Sequence, residues 1–98
     1  MKIELLDEAE ADLLAGFELY EQREPGLGQY FLDSLIADID SLVFYAGIHS
    51  QHFGFYRLLA KRFPHAIYYQ LTEEAVRVYA VLDCRQSPTR ITTRLRNP

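Results

Sequence analysis

The apolar positions of the chain change their period twice, and each change marks a new kind of element. Lys2-Ile3-Glu4-Leu5-Leu6 starts with alternation and reads as a short first strand. The spacing then lengthens: Ala9, Leu13, Phe17 and Tyr20 recur at helical intervals, an amphipathic helix that ends near Arg23. Asp7 and Glu10, three residues apart, have the form of a capping box with Asp in place of Ser or Thr. The acids of this helix, Glu10, Asp12, Glu18 and Glu21, mostly fall off the apolar stripe, so their expected role is solvation. Glu24-Pro25-Gly26-Leu27-Gly28 interrupts the pattern, because one Pro and two Gly in five residues do not continue a helix. A second stripe, Phe31, Leu35, Ile39 and Leu42, widened by Leu32, Ile36 and Val43, predicts a helix from Leu27 to Tyr45, stopped by Gly47. The short break between the two helices implies an antiparallel hairpin.

Beyond a polar connection over residues 48–54 the period falls to two. Residues 55–63 alternate, Pro64 turns or bends the chain, and residues 66–71 are rich in Ile and Tyr. Thr72-Glu73-Glu74 is a tight polar turn. Residues 75–83 form the clearest strand, with Val76, Val78, Ala80 and Leu82 expected on one face and Arg77, Tyr79 and Val81 on the other. Short connections make these three strands an antiparallel meander. In the tail, Pro88 is placed to start a short helix with Ile91 and Leu95 on its apolar side. The predicted class is α+β: a two-helix hairpin packed on a twisted antiparallel sheet, in the order β-α-α-β-β-β with a short C-terminal helix or tail.

Length and composition narrow this. Ninety-eight residues, 49% hydrophobic and 24% charged, fit one globular domain over residues 1–98. No apolar run reaches the roughly 20 residues that span a bilayer, so no membrane association is expected. The acidic start MKIELLDEAE is unlike an export signal, and the single Cys84 has no internal disulfide partner; both point to the cytoplasm. The net charge of −4 conceals a division. Residues 1–50 carry two bases against eleven acids, net −9, and residues 51–98 carry eight bases against three acids, net +5. A polarised surface with an anionic partner on the basic side follows, although helices also collect acids on their wet faces.

The candidates for chemistry lie in the basic half: Arg57, Lys61 and Arg62 on the first strand of the meander, Arg77 on the last, and Arg85, Arg90, Arg94 and Arg96 after it. Guanidinium groups pair bidentately with phosphate or carboxylate, and Tyr68, Tyr69 and Tyr79 offer faces for stacking. Against this stands the ordinary use of strand Arg and Lys on a solvated face, or of Arg57 and Arg85 as partners of helix acids. His65, after Pro64, is a general-base candidate by type, but its setting reads as an exposed turn. Cys84 beside Arg85 reads as a packing residue. His49 and His52 lack a third ligand, so no metal is expected, and no phosphate loop or paired-carboxylate motif calls for a cofactor.

The strings AEADLLAGFELYEQREPGLGQYFLDSL, YRLLAKRFPHAIYYQ and VRVYAVLDCRQSPTRI, in this order and over nearly the whole chain, resemble the RelE/ParE superfamily of toxins from type II toxin–antitoxin systems, the plasmid-stabilisation type. The resemblance implies a helix hairpin on a twisted antiparallel sheet, with the first strand joining the meander. It also implies a cognate antitoxin protein that covers the toxin. RelE-like members cut messenger RNA on the ribosome; ParE-like members inhibit DNA gyrase. By position, Arg57 and Lys61 match the basic residues of the meander's first strand and Arg85 the Arg after its last. These three are the catalytic candidates if the chain is RelE-like. Arg57, Lys61, Arg62, Arg77, Arg85 and Arg90 are the partner-binding candidates in either case. Past Arg85 there is no Tyr or His, and the pI is about 5.2. RelE-like nucleases are typically basic and often use a C-terminal Tyr or His, so both departures turn the resemblance toward the ParE-like branch, or toward a member whose toxicity is weak or lost.

Overall fold

In the computed structural model, which describes residues 1–96, nine elements follow one another: β1 (Lys2–Leu5), α1 (Asp7–Arg23), α2 (Leu27–Asp40), α3 (Leu42–Tyr45), β2 (Gln51–His52), β3 (Phe55–Leu59), β4 (His65–Leu71), β5 (Ala75–Asp83) and α4 (Pro88–Arg96). The strands make one sheet in the order β1-β5-β4-β3-β2. The meander β3-β4-β5 is antiparallel, as the alternation predicts, and β1 joins it alongside β5. That last pairing is parallel, from Lys2↔Ala75 to Leu5↔Val78, so the sheet is mixed rather than antiparallel throughout. The segment 48–54 is more ordered than a polar connection. Gln51 and His52 pair with Tyr56 and Phe55 across a two-residue turn, Phe53-Gly54, in which both residues have positive φ (56° and 85°). Such a turn matches the twist of the strands it joins.

The helix hairpin forms at the predicted break, and two glycines set its closeness. A Cβ on Gly16 would lie 2.5 Å from the Phe31 ring, and one on Gly28 would lie 2.5 Å from the Phe17 carbonyl oxygen. The start of α2 carries N–H groups with no helical acceptor. Glu21 of α1 supplies one: its carboxylate accepts from Gly26 N (3.1 and 3.0 Å) and Gly28 N (3.0 Å). Glu21 is therefore a cap and not merely a solvated acid. The expected Asp7–Glu10 capping box does not form. Leu6 is the N-cap and makes no side-chain bond, so Asp7 sits one residue too late to cap; Asp7, Glu8 and Glu10 instead place negative charge on the first turn. The second helix breaks at Ser41, whose hydroxyl donates to the Asp38 carbonyl at 2.6 Å, and the chain resumes as the single turn α3. Phe31, Leu35, Ile39 and Leu42 are buried as the stripe predicts, while Ile36 and Val43 are exposed.

A bulge divides β5. Tyr69 pairs with Val78 but Tyr68 pairs with Ala80, so Tyr79 is the extra residue. An inserted residue reverses the alternation beyond it. Val76, Val78 and Val81 accordingly pack toward the hairpin with Phe31, Leu35, Ile67 and Tyr69. Ala80 and Leu82 belong to a second, smaller core with Phe55, Ala66 and Tyr68, closed by Leu95 and Ile91 of α4. The single face expected for Val76, Val78, Ala80 and Leu82 is thus two faces, and both are covered.

Candidate functional site

Where β1 ends, β5 continues alone, and α1 and α4 close in on its uncovered edge. Asp12 of α1 takes the place of a strand there: its Oδ2 accepts from Val81 N at 2.9 Å. The same carboxylate receives Arg94 of α4 bidentately, Nη1 to Oδ1 and Nη2 to Oδ2, both at 2.9 Å. Glu8 lies 3.8 Å from Arg94 as well. Hydrogen bonding to Asp12 raises the Arg94 pKa against the opposing effect of burial. Asp12 is therefore a structural hinge pin between three elements and not a solvated acid. Its position beside Leu13 and Gly16 on the edge of the helix stripe was the available signal.

Just beyond this point, Asp83 closes β5 and turns back on Arg85. Asp83 Oδ1 accepts from Arg85 N (2.8 Å) and Nε (3.0 Å), and Oδ2 accepts from Nη2 (2.8 Å). Arg85 Nη2 also donates to the Tyr20 hydroxyl at 3.2 Å. The Arg85 hydrogen bonds hold the Asp83 carboxyl below the usual carboxylate range, and Asp83 in turn raises the Arg85 pKa further above its already high value. Arg85 does meet a helix residue, Tyr20, but its acid is its own neighbour. His65, paired with Asp83 across β4 and β5, corrects the expectation of an exposed turn residue. It is 7% exposed, packed edge-on against Phe31 (4.9 Å between centroids), and its Nδ1 is enclosed without a partner. Burial lowers its pKa, with Asp83 opposing and Arg85 adding to the effect. A cleft of about 230 Å³ opens beside it between α1, the end of β5 and α4, lined by Ala15, Gly16, Leu19, Asp83, Gln86 and Arg94 among others.

The other basic candidates are dispersed. Arg57 lies on the α4 side of the sheet, in register with Tyr68, and its Nε is buried without a partner. Burial raises the Tyr68 and Cys84 pKa values, and Arg57 works against both shifts. Cys84 itself is exposed rather than packed. Lys61 and Arg62 are exposed on the loop before β4, beyond the shortened β3, and Lys61 N donates to the buried Asp38 at 3.1 Å. Arg77 sits 3.4 Å from Glu4, its partner on β1, and over the Tyr79 ring. Arg90 is exposed on α4, and Arg96 lies 5.6 Å from the Phe53 ring centroid. Arg57 and Arg85 therefore serve different faces, and the six candidates do not converge on one centre. His49 and His52 are also separated in role: His49 Nδ1 bonds the Tyr69 hydroxyl, which accepts from Gly47 N, and His52 bonds Ser50.

One surface escaped the sequence pattern. Val43 (49% exposed), Phe44 (83%), Tyr45 (55%) and Ile48 (73%) stand in water around α3. The break at Ser41 causes this, since it lifts the last turn off the face that α2 buries.

No protein-family model and no curated protein matches the chain. Among solved structures, it is similar to a chain of one described as "Chromosomal ParDE TA system from P. aeruginosa", at a TM-score of 0.75 over 83% of this chain and 92% of that one. The two chains share a fold. Their sequences are 19% identical, so the likeness is one of fold. No described helix is long and apolar enough to cross a membrane.

Proposed function

We propose that the protein is the toxin component of a type II toxin–antitoxin system, ParE-like, which inhibits an essential target such as DNA gyrase by binding it and is neutralised by a cognate antitoxin protein. The observation that carries this reading is the fold held in common with a chain of a ParDE toxin–antitoxin structure. Two features of the surface favour binding over cleavage. Arg57 and Arg85 lie on different faces, so they do not make a paired clamp for one phosphate, and His65, at the wall of the cleft, is only 7% exposed. The exposed apolar residues around α3 form a surface of the kind that protein partners cover.

Purified protein added to a DNA gyrase supercoiling reaction and to ribosomes carrying a defined message separates the readings. Inhibited supercoiling with intact message is expected. Cuts placed by codon would establish the RelE-like endoribonuclease, with Arg57, Lys61 and Arg85 as its catalytic residues. No effect in either reaction, from folded protein, would favour a binding module of the same fold without toxicity.

A further inference from the structure

Asp83 already serves three donors of Arg85, its backbone N, Nε and Nη2. Directly across the ladder stands His65, and residues paired in this way have side chains on one face within reach of each other. In the neutral state the imidazole accepts enclosure, with one nitrogen unpartnered among the rings of Phe31 and Tyr20. An imidazolium has two N–H donors and no acceptor capacity, so its burial requires a hydrogen-bond acceptor. The groups that face it are few. β5 and the residues after it bring Asp83 and Arg85; α1 brings the Tyr20 hydroxyl and, across the cleft, Asp12; α4 brings Arg94; α2 brings only the Phe31 ring. Asp12 is occupied by Arg94 and Val81 N. The Tyr20 hydroxyl already accepts from Arg85, and Gln86 is an uncharged group of the cleft; Asp83 is the carboxylate paired directly with His65.

We propose that His65 and Arg85 compete for Asp83, so that protonation of His65 loosens the Arg85 guanidinium from the protein's own carboxylate and frees it for an anionic group of a partner. The step takes up one proton from solvent onto the imidazole. Asp83 then turns part of its hydrogen bonding toward His65, and the two cations repel each other across it. Arg85 is the group that moves, because it is exposed and His65 is not. Asp83 is in this sense an internal substitute for the partner's carboxylate or phosphate. The use made of a freed Arg85 rests on the proposed role of Arg85 in partner binding; the exchange itself does not.

The test is a proton and nitrogen NMR titration of the full chain from neutral to mildly acidic pH, following the His65 ring protons and the Arg85 Nε–H signal. It reads the exchange without reference to toxicity. The Arg85 signal is expected to shift and to exchange faster with water at the same midpoint as His65. In Asp83→Asn, Arg85 Nε–H should exchange fast at every pH, and the His65 midpoint should fall because its stabilising carboxylate is gone. The proposal is overturned if Arg85 is unchanged while His65 titrates, if Asp83→Asn leaves the His65 midpoint in place, or if the fold is lost before His65 takes up its proton.

Discussion

Single residues in this chain are constrained by what they face, and Gly16 gives the plainest case. Alanine in a helix interior is worth roughly 1 kcal/mol over glycine. Here the new Cβ would meet the Phe31 ring at 2.5 Å, and that ring is fully buried, wedged against Tyr20, Phe63 and His65. Overpacking of this kind costs about 1–3 kcal/mol, so the clash prevails. Gly16→Ala should lower stability by up to roughly 2 kcal/mol in urea unfolding; a stabilised variant would show that Phe31 can yield. His65 makes a second case, in pH. Its folded pKa is lowered from 6.5, so the native state binds fewer protons than the unfolded chain. Its contribution is complete above 6.5 and is lost as pH falls from there toward the folded value. Unfolding free energy should therefore decline below 6.5, above the range where Asp83 protonates, and His65→Phe should reduce that decline, leaving the part that comes from His49, whose pKa burial also lowers. The position of His65 was readable from sequence and its burial was not. Pro64 and the basic loop before it suggested a turn, whereas β4 begins at His65 and carries it under the hairpin.

At the scale of elements, the helices and the long strands were legible because their apolar periods run over many residues. The features that were missed come from single residues that change a period. Tyr79, one extra residue in β5, moves Ala80 and Leu82 to the second core. Ser41 ends α2 five residues early and exposes Val43 and Phe44. The capping role of Glu21 and the clamp made by Asp12 depend on partners five or more residues away, so a place on the helix stripe's edge could mark Asp12 but not name its partners. The clamp is open to test. Asp12→Ala leaves Val81 N and the Arg94 guanidinium without their acceptor, and a hydrogen bond to a charged group is worth about 1.5–3 kcal/mol. Asp12→Ala and Arg94→Ala should each destabilise the protein, and the double variant should lose clearly less than the sum. Additive losses would mean that α4 is held by Leu95 and Ile91 alone. Hydrogen exchange should locate the opening at α4 and at the Val81 amide in either single variant.

For the molecule as a whole, the division of charge read from the sequence becomes a division of layers. The acidic residues lie mainly on the α1–α2 hairpin, and α4 with its three arginines lies across the sheet from it, stitched to α1 by Asp12 and Glu8. The fold was visible from the order of strings, and the structural likeness agrees with it in architecture. The site was less visible, because sequence shows which residues are basic but not which are already engaged. Arg94 serves Asp12 and Arg85 serves Asp83, while Lys61, Arg62 and Arg90 make no ion pair among the described residues. The proposed binding role draws on this dispersed basic and apolar surface. The most direct test is induction of the chain alone in a bacterium, with growth, DNA-damage signalling and message integrity followed together. Growth arrest with DNA-damage signalling and uncut messages is the predicted result. Unimpaired growth at a high level of folded protein, or arrest accompanied by codon-placed cuts in messenger RNA, would contradict it.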